Sequence, residues 1–217
     1  MKILLISSSP HKQKSRTFML ASEVVKGLGE GVETEVVHLS DYKIEFCRHC
    51  DLCHLKILQC PLKDDAGKIL SKMLEADGII LASPNYINQV TASMKALFDR
   101  SSHFIHCKRL LGKYIAGVVT SGSGLDKEVL DYMKHYSNTC GAQFAGGVSA
   151  GMPVDEKKKT EAFKLGEALA AAVKGGKSFP DQQKVIEEGK TRFVKLIGMR
   201  KDEWLGEYQY FKEKNWL

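Results

Sequence analysis

The 217-residue sequence predicts an α/β fold: a doubly wound, five-stranded parallel sheet with helices on both faces. Three observations carry this. Apolar runs of strand length alternate five times with segments of helical periodicity. The runs are apolar almost throughout rather than every second residue, as strands buried on both faces are. Polar loops rich in Ser, Gly, Pro or Asn follow the first, third and fourth runs, and open parallel sheets bind ligands beyond the carboxyl ends of their strands.

Residues 2–6 (KILLI) form the first strand. An amphipathic helix follows over 15–28, where Phe18, Leu20, Val24, Val25 and Leu28 recur at helical spacing before Gly29 and Gly31 stop it. Residues 34–39 (TEVVHL) make the second strand, and a cysteine-rich loop comes next. Asp64 or Asp65 caps a helix over 66–75, with Ile69, Met73 and Leu74 on its apolar face. Residues 78–82 (GIILA) are the third strand, followed by the loop SPNYINQV and a helix through Met94, Leu97 and Phe98. Residues 113–120 give the fourth strand, ending in TSGSG. A helix over 126–138 leads to a fifth strand at 143–148, interrupted by Gly146 and Gly147.

A Lys/Glu/Ala-rich helix over 155–173 closes the core, and Gly175, Gly176 and Pro180 mark a break. Beyond it lie a basic helix over 182–196 and an aromatic tail with Trp204, Tyr208, Tyr210, Phe211 and Trp216. The expected division is one domain over 1–175 and an extension over 176–217 that packs on the core or on a neighbouring subunit.

Apolar runs are far too short to cross a bilayer, and the first six residues are too short for a signal-peptide core. This predicts a cytoplasmic protein without membrane contact. In a reducing compartment, clustered cysteines point to metal or redox chemistry rather than disulfides. The net charge of +6 is modest and its lysines are spread, except for Lys12, Lys14 and Arg16. That local excess suits a small anionic ligand; a nucleic-acid track needs a broad basic face.

The first loop, SSSPHKQKSRT over 7–17, offers hydroxyls, backbone amides and a helix N-terminus, a ready anion cradle. It is neither G-x-G-x-x-G nor a Walker loop, which counts against a dinucleotide or nucleoside triphosphate here. A plain polar cap is the alternative; the position after the first strand favours a phosphate. In the second loop, SPNYIN over 83–88, Pro fixes the backbone and Tyr offers a flat face, although a turn with a core tyrosine reads the same way. In the third, TSGSG, glycine lets backbone approach a planar ligand, or the stretch is only a linker.

Four of the six cysteines fall between positions 47 and 60, spaced C-x2-C-x2-C-x6-C: Cys47, Cys50, Cys53 and Cys60. Consecutive x2 steps suit three corners of a cubane iron–sulfur cluster, with the fourth ligand farther along. Structural zinc more often pairs two separate knuckles. Thiolate softness allows either metal, and four free thiols are the third option. His49 and His54 read as surface histidines, and Cys107 and Cys140 as buried thiols.

With SSSPHK near the start, the cysteine spacing followed by Asp64-Asp65, and SPNYINQVTASMKALFDR over 83–100, the chain resembles the flavodoxin-like NADPH-dependent FMN reductases, and within them the iron–sulfur flavoproteins. The ending YQYFKEKNWL is similar to tails in that group. The resemblance implies a noncovalent FMN whose phosphate is held by Ser9, His11, Ser15, Arg16 and Thr17. Pro84, Asn85, Tyr86, Ile87 and Asn88 would line the isoalloxazine, with Thr120, Ser121, Gly122 and Gly124 on its other side.

It further implies a [4Fe–4S] cluster on Cys47, Cys50, Cys53 and Cys60, NAD(P)H as co-substrate, a small-molecule or protein electron partner, and a homodimer or homotetramer. His11 stands where the family usually has Arg, Ser8 where it has Gly, and TSGSGLDKE lacks the longer Gly-Gly-Gln-Glu arrangement. The alternatives are a flavin-only NAD(P)H-dependent FMN or quinone reductase, and a non-catalytic metal or thiol sensor.

Overall fold

Five parallel strands, β1 (Lys2–Ser7), β2 (Glu33–His38), β3 (Gly78–Pro84), β4 (Tyr114–Thr120) and β5 (Gln143–Ala150), pair in the order β2-β1-β3-β4-β5. The computed structural model describes residues 1–122, 124–151 and 153–217. This is the flavodoxin-like strand order, and its switch point lies between β1 and β3. The three inner strands are buried almost end to end, which is why their sequences are continuous apolar runs. β2 lies at an edge, with Glu33 and Val36 exposed and only Val37 and His38 at its carboxyl end buried.

Glycines 146 and 147 do not interrupt the fifth strand. The pairing with β4 shifts between Ile115 and Ala116, so Ala145 bulges out and the strand continues to Ala150. Gly146 takes φ 143° at the bulge, a conformation that needs no Cβ.

Alternation along the strands assigns the two faces. Ile3, Leu5, Ile80, Ala116 and Val118 point to the face covered by α1 (Arg16–Gly27) and α7 (Glu156–Gly175). Leu4, Ile6, Ile79, Leu81, Ile115 and Val119 point to the other. That face is covered by α3 (Ala66–Glu75), α4 (Ala92–Arg100) and α6 (Lys127–Thr139). Two short helices, α2 (Leu52–Leu55) and α5 (Ser102–Cys107), lie in stretches read as loop or not resolved from sequence. α1 and α7 meet backbone to backbone: a Cβ on Gly27 would lie 1.9 Å from the Phe163 carbonyl oxygen, and one on Gly166 2.0 Å from that of Val24.

The chain after the glycine break forms α8 (Pro180–Met199) and α9 (Leu205–Glu213), so much of the aromatic tail is helical. Pro180 opens α8, where its missing N–H is not needed. Gln182 then ties the helix to the core. Its Oε1 accepts from Asn138 Nδ2 at 2.7 Å and from the Phe144 amide at 2.6 Å, and its Nε2 donates to the Phe144 carbonyl at 3.0 Å. Phe211, Trp204 and Ile197 pack with Cys107, so the aromatic residues dock on α5 of the same chain. No helix among the described residues is long and apolar enough to cross a membrane.

The α1–α7 contact gives a direct test. Gly27→Ala forces the two helices apart and is expected to lower stability by about 2–3 kcal/mol, as overpacking does. Urea unfolding should show a lower midpoint at an unchanged slope.

Candidate functional site

The carboxyl ends of β1, β3 and β4 bring the three polar loops together. Strand-to-strand hydrogen bonds stitch them: the Ser8 amide to Ala82 O at 2.9 Å, Asn85 to Thr120 O at 2.8 Å, and Ser121 to Ala150 O at 3.1 Å. The Thr17 and Thr120 hydroxyls meet at 2.6 Å. A cleft of about 370 Å³ opens there. Ser9, His11, Ser15, Arg16 and Thr17 line it from the first loop; Pro84, Asn85 and Tyr86 from the second; Thr120, Ser121 and Gly122 from the third.

The first loop ends at the N-terminus of α1, where orphan amides can face negative charge. Ser15 caps α1, its Oγ accepting from the Phe18 amide at 3.3 Å. The first amides of α1 have no acceptor within the helix, and Arg16 and Lys14 flank them. Lys14 was signalled only by the basic cluster, and Lys12 turns away to pair with Asp41.

The second loop is a two-residue hairpin turn. Tyr86 N bonds to Gln89 O at 3.0 Å and Gln89 N to Tyr86 O at 3.2 Å, while Ile87 and Asn88 take φ 53° and 56°. A β-branched residue in the left-handed region is strained. Ile87 is 98% exposed, so it and Asn88 stand on the rim and do not line the cleft. The Asn85 side-chain nitrogen donates to Leu125 O at 3.0 Å and Asp126 Oδ1 at 3.3 Å, and its Oδ1 is buried with no donor among the described residues. Gly124 bonds through its amide to Ser121 Oγ at 3.0 Å and does not reach the cleft lining. Ser123 of the TSGSG loop lies outside the described residues.

The four cysteines line one cavity of about 710 Å³, together with Arg48, Arg100, Arg200 and Trp204. Left-handed conformations at His49, Asp51 and Leu58 fold the loop so that its thiols share that space. Cys47, Cys50 and Cys60 are exposed and Cys53 half-buried. Burial pushes the Cys53 thiol up to about 12, with Glu207 and the other three cysteines adding to the effect. A soft cation binding there must displace that proton. Asp51 and Asp99 also line the cavity, and an all-thiol donor set suits a soft metal or a metal–sulfur group.

Two buried carboxylates hold the loop. Asp64 receives Arg100 through both nitrogens of its fork, Nη2 to Oδ1 at 3.0 Å and Nη1 to Oδ2. It also accepts the Glu45 amide at 2.8 Å and the Ala66 amide at 3.2 Å, and Arg100 Nη1 reaches Glu45 O at 2.9 Å. Asp65 occupies the cap position of α3, yet its side chain makes no cap bond and takes the Lys43 amide and Lys68 instead. Burial pushes the Asp64 carboxyl up, but Arg100 and the two amides outweigh it and hold it below the usual carboxylate value. Arg100 shares a cavity wall with Cys60.

On the opposite side, Glu207 of α9 is fully buried. One oxygen meets His54 Nδ1 at 2.6 Å and the other His106 Nδ1 at 2.9 Å. The two imidazoles stack 4.6 Å apart and Trp204 leans on both. His49 is at the surface as expected, but His54 is only 4% exposed, because α9 covers it. A Cβ on Gly206 would lie 2.5 Å from Leu55 O, so only glycine lets α9 back onto α2. Although the ligand atoms of these three residues lie within 4.8 Å of one another, each carboxylate oxygen already takes one imidazole. The group therefore closes on itself as a hydrogen-bonded clamp. His103, in α5, is buried too, and burial followed by the nearby Arg109 pushes it down to about 4.

Asp64→Asn leaves Arg100 buried without its counter-charge, which is expected to cost about 3–5 kcal/mol. The lowered Asp64 pKa fixes the sign with pH. Its contribution is complete above the ordinary carboxylate value, about 4, and is lost as pH falls through the folded value. The stability gap between wild type and variant, measured by urea at pH 7 and again at pH 3, should narrow in acid.

A family model described as NADPH-dependent FMN reductase matches residues 1–156. An iron–sulfur flavoprotein of Archaeoglobus fulgidus is 32% identical over 223 residues, covering 100% of this chain and 100% of that protein. A second iron–sulfur flavoprotein of the same organism is 44% identical over 124 residues, 56% of this chain and 60% of that one. Among solved structures, a flavone reductase superposes with a TM-score of 0.66 at 21% identity, covering 80% of this chain and 63% of its own; this likeness shows the fold. The chain belongs to the NADPH-dependent FMN reductase family, in its iron–sulfur flavoprotein branch, and is an FMN-dependent oxidoreductase.

Proposed function

We propose that this oxidoreductase carries FMN in the three-loop cleft and a [4Fe–4S] cluster on Cys47, Cys50, Cys53 and Cys60. It would pass electrons between NAD(P)H or another donor and a small-molecule or protein acceptor. The observation that carries the reading is the shared cavity, lined by four thiols from one loop. The loop follows β2, so it stands on the carboxyl edge of the sheet that also carries the anion-binding cleft.

Ser9, Ser15, Arg16 and Thr17 would hold the phosphate, with His11 and Lys14 beside them. Pro84, Asn85 and Tyr86 would flank the ring on one side, and Thr120, Ser121 and Gly122 on the other. The donor-less Oδ1 of Asn85 is an acceptor suited to a ring N–H. Ile87, Asn88 and Gly124 would act from the rim.

Bound, FMN supplies two-electron and one-electron chemistry and the cluster a one-electron partner. The chain's own work is positioning and electrostatics, and no general acid or base is required. The Asn85 and Tyr86 amides already bond to Thr120 and Gln89, which leaves those of Ile87 and Asn88 to face negative charge on a reduced ring.

Exposed Phe46, Ile87 and Met199, 76%, 98% and 77% accessible, suit burial in a homodimer or homotetramer. Residues 1–175 would form the flavin unit and 176–217 its extension, in a cytoplasmic protein.

Anaerobically purified protein should be brown, with absorbance beyond the flavin bands. Cys53→Ser should abolish that absorbance and keep the FMN. Arg16→Ala should weaken FMN binding about tenfold, the loss expected for a charge-assisted phosphate contact. A plain yellow protein that Cys53→Ser leaves unchanged, after attempted cluster reconstitution, would favour a flavin-only reductase.

A further inference from the structure

We infer that His103 is a hydrogen-bond donor to the sulfur of the cysteine-held cluster, on its Cys53–Cys60 side, and sets the cluster's reduction potential. The inference rests on the cluster reading above. His103 sits in the first turn of α5 and is 1% exposed, with its ring edge-on to Phe104 at 4.9 Å. Both of its ring nitrogens are buried without a hydrogen-bond partner among the described residues. A neutral imidazole always carries one N–H, and a buried donor without an acceptor is costly.

Among the described residues none bonds to either ring nitrogen. His54 and His106 turn their Nδ1 atoms to Glu207, and the Arg100 fork is engaged by Asp64 and Glu45 O. Arg100, like Arg109, presents a buried Nε that is itself a donor. What His103 does share is a small cavity whose wall includes Cys53, Cys60 and Arg100. Its volume of about 10 Å³ is at the lower limit for a single water. The thiols on that wall are weak acceptors while protonated. As metal-bound thiolates they become strong ones, and the cluster's own sulfides are equivalent acceptors.

An N–H pointed at cluster sulfur stabilises the more negative, reduced state over the oxidised one and so raises the potential. His103 would tune the cluster through this one hydrogen bond and move no proton or electron itself. Leucine removes both nitrogens at similar bulk, whereas glutamine keeps an N–H donor.

The test is an anaerobic redox titration of the FMN-loaded protein, followed by the EPR signal of the reduced cluster, in wild type, His103→Leu and His103→Gln. Iron and sulfide are assayed in each. The expected result is a potential lowered in His103→Leu by the equivalent of a tenfold fall in the reduced-to-oxidised ratio, about 59 mV for one electron, with His103→Gln near wild type. Equal potentials in wild type and His103→Leu, with iron and sulfide retained, would overturn the inference. So would loss of the cluster from both variants while FMN stays bound, because glutamine supplies the same donor. Absence of iron and sulfide from the wild type would instead overturn the cluster reading and remove the basis of this one.

Discussion

A loop of nineteen residues or so that carries four thiols has little regular structure to hold it, and two buried carboxylates do that work here. Asp64 fixes the far end of the loop by taking Arg100 and two backbone amides at once. Glu207 fixes the middle by taking His54 and, through His106, tying it to α5. Both carboxylates have hydrogen-bonding partners for each oxygen, the condition under which a buried charge is tolerated. Without them, thiols spread over fourteen positions would have no reason to face a common cavity.

The sheet was legible because its signal is local. KILLI, GIILA and the run into TSGSG are buried on both faces, and each appears where the strand is found. The glycines of β5 misled in a specific way: Gly146 makes a bulge that redirects the strand without ending it. The cleft residues were legible because they follow strands, although Ile87, Asn88 and Gly124 stand outside its lining. The cysteines declared themselves by spacing. Their supports did not: Glu207 and His54 are 153 positions apart, and no periodicity or motif links a tail glutamate to a loop histidine. His54 was placed at the surface for that reason. Nothing in the sequence marks His103, and its nitrogens, unpartnered among the described residues, single it out.

The two sites show two kinds of order. Around the anion cleft, strand-to-strand hydrogen bonds and the Thr17–Thr120 contact fix the loops without any charged pair between them. The strained turn at Ile87 and Asn88 is held at its base by the paired Tyr86 and Gln89 backbones, which keeps its free amides in one place. Around the cysteines, by contrast, order comes from ion pairs and from a helix near the end of the chain. The C-terminal extension is therefore part of the cysteine site, and α9 reaches it through Gly206, Glu207 and Trp204.

The central claim is that the three-loop cleft holds FMN and the cysteine cavity an iron–sulfur cluster. Anomalous diffraction from anaerobically grown crystals, measured on both sides of the iron edge, tests it most directly. The account predicts iron density among Cys47, Cys50, Cys53 and Cys60, with flavin density over Ser15–Thr17. An anomalous peak that responds to the zinc edge alone, or none among the four thiols in protein that retains its flavin, would contradict it.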